Sequence, residues 1–178
     1  MRLANQRNEA IFFVLMSAPF TPHGKPNIEA LLEAVASKPN DPTLSNLITP
    51  AQWSVLSGYM QASSLAPGHI LISQGAEDRN LYFVESGMLT VHFEDAKGKI
   101  HLAAVGAGSV VGEGGFFSYM ARSATVQAGS ACKLWALTPM RFSELSNRQP
   151  PVALALAMAL GAIMAKRVVS NRRRIAVT

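Results

Sequence analysis

Apolar positions recur at two different periods along this chain, and the change between them divides it into parts. A short apolar stretch over residues 8–16, stopped by Pro19 and Pro22, predicts a first helix, with residues 21–25 as a turn-rich link. Asn27 is placed to cap a second helix running to Ser37, with Leu31, Leu32 and Val35 on one face, before Pro39, Asp41 and Pro42 break the chain. Thr49-Pro50-Ala51-Gln52 is a helix-start signature, and Trp53, Leu56 and Met60 follow at helical spacing. From Leu65 the period falls to two. Alternating segments at 69–73, 81–85, 88–93, 99–105, 110–111, 123–128 and 133–137 read as short strands. Turns at Pro67-Gly68, Ser86-Gly87, 95–99 and Gly106 to Gly108 separate them, and residues 74–80 form a polar loop. Thr138-Pro139 then opens a helix, and Pro150-Pro151 opens a longer one to about Arg173, with Leu156, Leu160, Ile163, Met164 and Val168 along one side.

Short strands at regular spacing between helices predict an α+β chain: a β-roll (jelly-roll) barrel with flanking helices over residues 46–178, preceded by an N-terminal helical extension over 1–45. Composition excludes wholesale disorder, since 49% of the 178 residues are hydrophobic. The single cysteine, Cys132, forms no internal disulfide and suits a reducing, cytoplasmic setting. The net charge of +5 is concentrated at the end, where Lys166, Arg167, Arg172, Arg173 and Arg174 cluster. The apolar runs at 11–18 and 152–165 are shorter than the ~20 residues of a membrane span, so none is expected.

Candidate chemistry concentrates in residues 110–125. Gly112, Gly114 and Gly115 let backbone approach an anion, Glu113 supplies a carboxylate, and Arg122 a guanidinium nine residues on. A buried carboxylate and a buried arginine are costly unless they pair or serve a ligand, which leaves two readings. One is a pocket for a phosphate ester carrying hydroxyls; the other is a Glu113–Arg122 ion pair supporting the barrel. His69, His92 and His101 lie on different strands without a His-x-His pair, so no metal site and no enzyme activity is expected.

Several segments in the right order carry a resemblance. Gln74-Gly75, then Leu81-Tyr82-Phe83-Val84 and Ser86-Gly87-Met88-Leu89, are similar to the early strand-turn signature of the cyclic nucleotide-binding domain. Gly112-Glu113 and Arg122-Ser123-Ala124-Thr125 resemble its phosphate-binding cassette. The resemblance implies that Glu113 accepts a hydrogen bond from the ribose 2′-hydroxyl and that Arg122 pairs with the cyclic phosphate. Backbone N–H groups of Gly114, Gly115 and Phe116 would complete the anion site, with Ser123 and Ala124 beside it. Charge-assisted bonds of this kind contribute about 1.5–3 kcal/mol each. Two positions depart from the family pattern: Gly114 replaces a large aliphatic residue, and Ala121 a proline. The family's lid over the base falls on the last helix, here near Ser170, Asn171 or Arg172.

The implied function is a cyclic nucleotide sensor, cAMP narrowly ahead of cGMP, that signals to an effector protein by movement of the last helix and needs no cofactor. A scaffold that keeps the fold without binding a mononucleotide, or a cyclic di-GMP sensor, is the alternative. Small residues on the last helix (Ala155, Ala157, Ala159, Gly161, Ala162) suit either packing on the barrel or a homodimer. With no recognition helix before Thr178, sequence-specific DNA binding is not expected.

Overall fold

The structure, a computed structural model, describes residues 27–38, 41, 43–94 and 100–175, except for the side chains of Glu94, His101 and residues 171–175. The helix expected over 8–16, the link at 21–25, Pro39, Pro42 and the turn at 95–99 lie outside the described residues.

Helix α1 (Glu29–Ala36) begins where expected. Ile28 holds the cap position without a side-chain bond, while Asn27 Oδ1 accepts from the Glu29 N–H at 2.8 Å. Leu31 and Val35 are buried. A five-residue helix, α2 (Thr43–Leu47), was not foreseen, because it is too short to show a period. Burial of Leu44 and contact with the last helix hold it. Helix α3 (Pro50–Ser57) carries the full capping box: Thr49 Oγ1 accepts from Gln52 N–H, and Gln52 Oε1 from Thr49 N–H. Trp53 meets Phe83 edge-on at 5.4 Å.

The roll consists of β1 (Gln61–Leu65), β2 (Ile70–Ile72), β3 (Leu81–Ser86), β4 (Met88–Glu94), β5 (Ile100–Gly106), β6 (Val110–Val111), β7 (Thr125–Ala128) and β8 (Cys132–Leu137). A short helix α4 (Glu113–Ser118) follows β6, and α5 (Pro139–Arg148) and α6 (Pro150–Ile175) close the chain. Two four-stranded antiparallel sheets form, ordered β1-β8-β3-β6 and β2-β7-β4-β5. Strand β1 is absent from the sequence-based expectation, which carried helical spacing to Leu65. Its QASSL sequence has no apolar alternation, and pairing with β8 from Gln61↔Ala136 to Leu65↔Cys132 makes it a strand.

Among the described residues, two apolar clusters form the core. Ile72, Val84, Leu89, Val111, Val126 and Leu134 pack inside the roll. The other cluster joins the helices to the first sheet through Leu31, Ile48, Trp53, Phe83, Trp135 and Leu156, so α1 shares a core with the roll. Helix α6 buries Val152, Leu156, Ala159, Leu160 and Ile163, but Val168 is 54% exposed, against expectation. Five residues after Ile163 rotate the helix by about 500°, which carries Val168 some 140° off the buried side. The apolar part of α6 is also longer than the run read at 152–165. Over Pro150–Ser170, with mean hydropathy 1.9, it is long and apolar enough to cross a membrane by length and composition alone; 33% of that stretch is buried in the protein.

Candidate functional site

Strand β6 ends at Val111, and Gly112 turns the chain into α4 with φ +89°, a conformation that favours glycine. A Cβ on Gly112 would lie 2.7 Å from Asn80 O and 2.8 Å from Arg122 Nη1. The turn is therefore glycine for two reasons: its φ, and the guanidinium packed against it. A Cβ on Gly114 would meet nothing within 4 Å, so this departure from the family pattern leaves open space.

Arg122 is held to the loop at 74–80 by backbone bonds in both directions, from its N–H to Ala76 O and from Gly75 N–H to its carbonyl, each 2.8 Å. Its side chain is 2% exposed. Nε and Nη2 donate to the two carboxylate oxygens of Asp78 at 3.3 and 2.5 Å, Nη2 also to Asn80 O at 2.7 Å, and Nη1 to Gly112 O at 3.0 Å. Among the described residues, four of the five guanidinium N–H groups are engaged, leaving one on Nη1. Burial pushes the nearby Tyr82 phenol up, so that group stays neutral beside the pair.

Glu113 does not pair with Arg122. Its Oε1 accepts from Nη1 of Arg167 on α6, and Arg167 Nη2 donates to Val110 O at 2.7 Å. Glu113 and Arg122 are thus fixed by different partners, and the expected alternative of a mutual ion pair does not form.

A cavity of about 140 Å³ opens between these groups. Gly112, Glu113, Gly114, Gly115, Arg122, Ser123 and Ala124 line it, with Arg167, and Ile72, Val91, Val105, Val111 and Val126 form apolar walls. Seven of the ten expected site residues therefore meet in one place. Phe116 does not: it is 4% exposed, packs edge-on to Phe117 and Phe142, and its N–H donates to Gly112 O at 3.0 Å. The helix turn that begins at Gly112 consumes the N–H that was expected to bind an anion. The side chains of Asn171 and Arg172 lie outside the described residues, and Ser170 Oγ donates to Arg167 O at 3.0 Å.

Two residues of this site were missed in the sequence. Asp78 lay in a stretch read only as polar loop. Arg167 was counted with a solvated basic end, yet a signal existed: Leu156, Leu160, Ile163 and Arg167 are spaced four, three and four apart, so Arg167 continues the buried stripe. Behind it, Lys38 Nζ donates to Ser109 Oγ at 2.6 Å, next to the strand residue that Arg167 grips. Burial lowers the Lys38 pKa, Asp41 opposes that, and the Arg167 cation adds to it. Beyond the cavity, the Arg79 guanidinium stacks 3.5 Å over the ring of Tyr119, a non-glycine residue at φ 60° that ends α4. Among the described residues no cluster suited to a metal ion occurs.

Comparison with known proteins bears on the family and the fold. The cAMP-activated global transcriptional regulator CRP of Escherichia coli is 33% identical over 100 residues, 55% of this chain and 46% of its own length. The cGMP-dependent protein kinase of Plasmodium berghei is 33% identical over 97 residues, 52% of this chain and 11% of its own length. The chain thus spans less than half the length of either relative. A cyclic nucleotide-binding domain from Methylobacillus flagellatus superposes with a TM-score of 0.73 at 19% identity, covering 84% of each chain, which establishes the fold. Residues 62–149 match the family model of the cyclic nucleotide-binding domain, so this stretch of the chain is similar to that family.

Proposed function

We propose that this protein is a cyclic nucleotide sensor, not an enzyme, whose ligand enters the cavity between the cassette and the second sheet. The observation that carries this reading is the convergence of Glu113, Arg122 and the Gly112–Gly115 turn on one cavity with valine and isoleucine walls. Arg122 meets the cyclic phosphate with its remaining Nη1 N–H, backed by the Asp78 carboxylate that fixes its plane. Glu113 accepts from the ribose 2′-hydroxyl. Ser123 lies at the cavity wall within reach of phosphate or base, and the apolar walls receive the purine. The last helix, carrying Arg167 at the cavity and Asn171 and Arg172 one turn on, completes the lid and passes the signal to an effector protein. cAMP is the favoured ligand, narrowly over cGMP; one relative is cAMP-activated and the other cGMP-dependent. A reducing cytoplasmic setting agrees with the buried free thiol of Cys132.

One observation favours a second reading, a scaffold that binds no mononucleotide: Arg122 is already satisfied by Asp78 and two carbonyls. Calorimetric titration of cAMP, cGMP and cyclic di-GMP against the wild type and Arg122→Ala separates the two. Saturable binding of cAMP or cGMP that Arg122→Ala abolishes is the expected result. Binding of none of the three supports the scaffold, and binding of cyclic di-GMP alone reassigns the ligand.

A further inference from the structure

We infer that Arg79 is a positioning residue for the cavity: by clamping the far end of α4 it keeps Glu113 and Arg122 at the spacing that one ligand needs. This rests on the proposed reading of the cavity as a cyclic nucleotide site. Glu113 opens α4, and Arg122 stands nine residues on, after the helix has ended. A helix of six residues does not hold itself in water, so that spacing depends on what touches the segment from outside. Its first turn is fixed by the bond from Phe116 N–H to Gly112 O and by the buried Phe116 ring. Ser118, Tyr119, Met120 and Ala121 are all exposed and belong to neither apolar cluster. There the half-buried Arg79 takes over. Its Nη2 donates to Phe116 O at 3.2 Å, and its guanidinium lies 3.5 Å from the centroid of the Tyr119 ring.

The contact is kept at a local cost on both sides. Tyr119 holds φ 60°, a left-handed conformation that a tyrosine rarely adopts. Arg79 Nε is buried with no hydrogen-bond partner among the described residues. A side chain placed only for stability would turn that N–H to solvent, and a helix end built only for stability would favour glycine. The neighbours of Arg79 in the chain point to what the geometry serves. The Asp78 carboxylate and the Asn80 carbonyl both accept from Arg122. Three consecutive residues thus grip the middle and the end of one segment. The phosphate and ribose of a cyclic nucleotide are fused in one rigid unit, so Glu113 and Arg122 must be correctly spaced at the same time. Without the clamp, either contact still forms alone. Making both then requires ordering the exposed stretch, and that cost weakens binding of ligands that use both groups.

The test titrates cAMP and 2′-deoxy-cAMP into the full chain, into Arg79→Met and Arg79→Lys, and into Tyr119→Gly, which suits the left-handed backbone but removes the ring. Thermal unfolding of each is followed alongside. Wild type is expected to favour cAMP over the 2′-deoxy analogue by roughly tenfold. In Tyr119→Gly and Arg79→Met, cAMP is expected to weaken by about fivefold to tenfold, while 2′-deoxy-cAMP changes by less than about twofold. The unfolding midpoint of Tyr119→Gly is expected to stay within about 2 °C of wild type, because relief of the backbone offsets the lost stack. Arg79→Lys keeps the charge but not the fork and is expected to lie between; with Tyr119→Gly it decides the matter if Arg79→Met does not fold. Equal weakening of both ligands would show a merely structural role and overturn the inference. Unchanged cAMP affinity in Tyr119→Gly and Arg79→Met would overturn it too, as would a wild type that binds both ligands equally. These outcomes leave the sensor reading intact, whereas failure of the wild type to bind either ligand brings down that reading and the inference with it.

Discussion

Arg122 is a nearly fully buried cation whose countercharge, Asp78, stands 41% exposed at the rim. Half of the pair stays solvated, so removing Asp78 costs less than breaking a fully buried ion pair. Asp78→Ala is expected to lower the free energy of urea unfolding by about 1–2 kcal/mol, with saturating cAMP restoring part of it as phosphate replaces the lost carboxylate. No change in the unfolding midpoint would show the pair to be incidental. The two neighbouring glycines give opposite expectations from the same substitution. Gly112→Ala forces an L-residue to φ +89° and sets a Cβ against Arg122. A loss of about 2 kcal/mol or more, together with loss of nucleotide binding, is expected. Gly114→Ala adds its methyl in open space within α4 and is expected to be neutral or stabilising by up to about 1 kcal/mol. A comparable loss for both variants would mean that the cassette tolerates no change at all, and the local argument would fail.

Among elements, the connection from α1 to α2 joins the helical segment to both halves of the site. Lys38 bonds Ser109 just before β6, while Lys166 of α6 donates to Asp41 at 2.9 Å and to Thr43 Oγ1. Burial pushes the Asp41 carboxyl up, but the Thr43 hydroxyl and Lys166 outweigh it and hold the group below its ordinary 3.8. A depressed folded-state pKa gives stability that is present above about pH 4 and lost as pH falls through the folded value. Asp41→Asn is therefore expected to be less stable than wild type at pH 7 by about 1 kcal/mol, the two curves converging as pH falls below the ordinary carboxylate range. A difference that persists unchanged into acid would assign the effect to something other than charge. This junction also shows where sequence reading succeeds and stops. Strands β3, β4, β5 and β8, the helix start at Thr49-Pro50 and the grouping of Gly112, Glu113 and Arg122 at one cavity were legible because each advertises itself locally, by alternation, a helix-start signature or close spacing. Strand β1 was not, because its pairing with β8 lies seventy residues away and leaves no apolar pattern. Asp78 and Arg167 were not, because a polar residue gives no sign of its partner; only the stripe spacing marked Arg167, and its charge concealed that signal.

For the whole molecule, the unexplained surface is the side of α6 turned away from the roll. Leu154, Met158 and Val168 are 64%, 61% and 54% exposed, and with exposed Gly161 and Ala165 they recur at spacings of four, three, four and three. That is the seam two helices use when they pack along their length, and the small residues in its middle allow close approach. A second copy of the chain presents the same stripe, so a two-fold pairing of α6 with α6 covers both at once. This is the homodimer that the small residues of the last helix left open, and sedimentation equilibrium tests it: the wild type should approach twice 19.0 kDa at micromolar concentration, and Met158→Glu should return it to a monomer that remains folded. A wild type that stays at 19.0 kDa sinks the dimer, and recovery of the chain with added lipid vesicles instead would assign the stripe to a membrane surface. Val168, the last apolar residue of the seam, directly follows Arg167, which faces the cavity. A ligand that secures Arg167 on Glu113 therefore also fixes the rotation of α6 at the seam, and cAMP should tighten the dimer in wild type but not in Arg167→Met. The same concentration series with and without nucleotide reads that coupling, and equal dimer affinities in both conditions would separate the site from the surface.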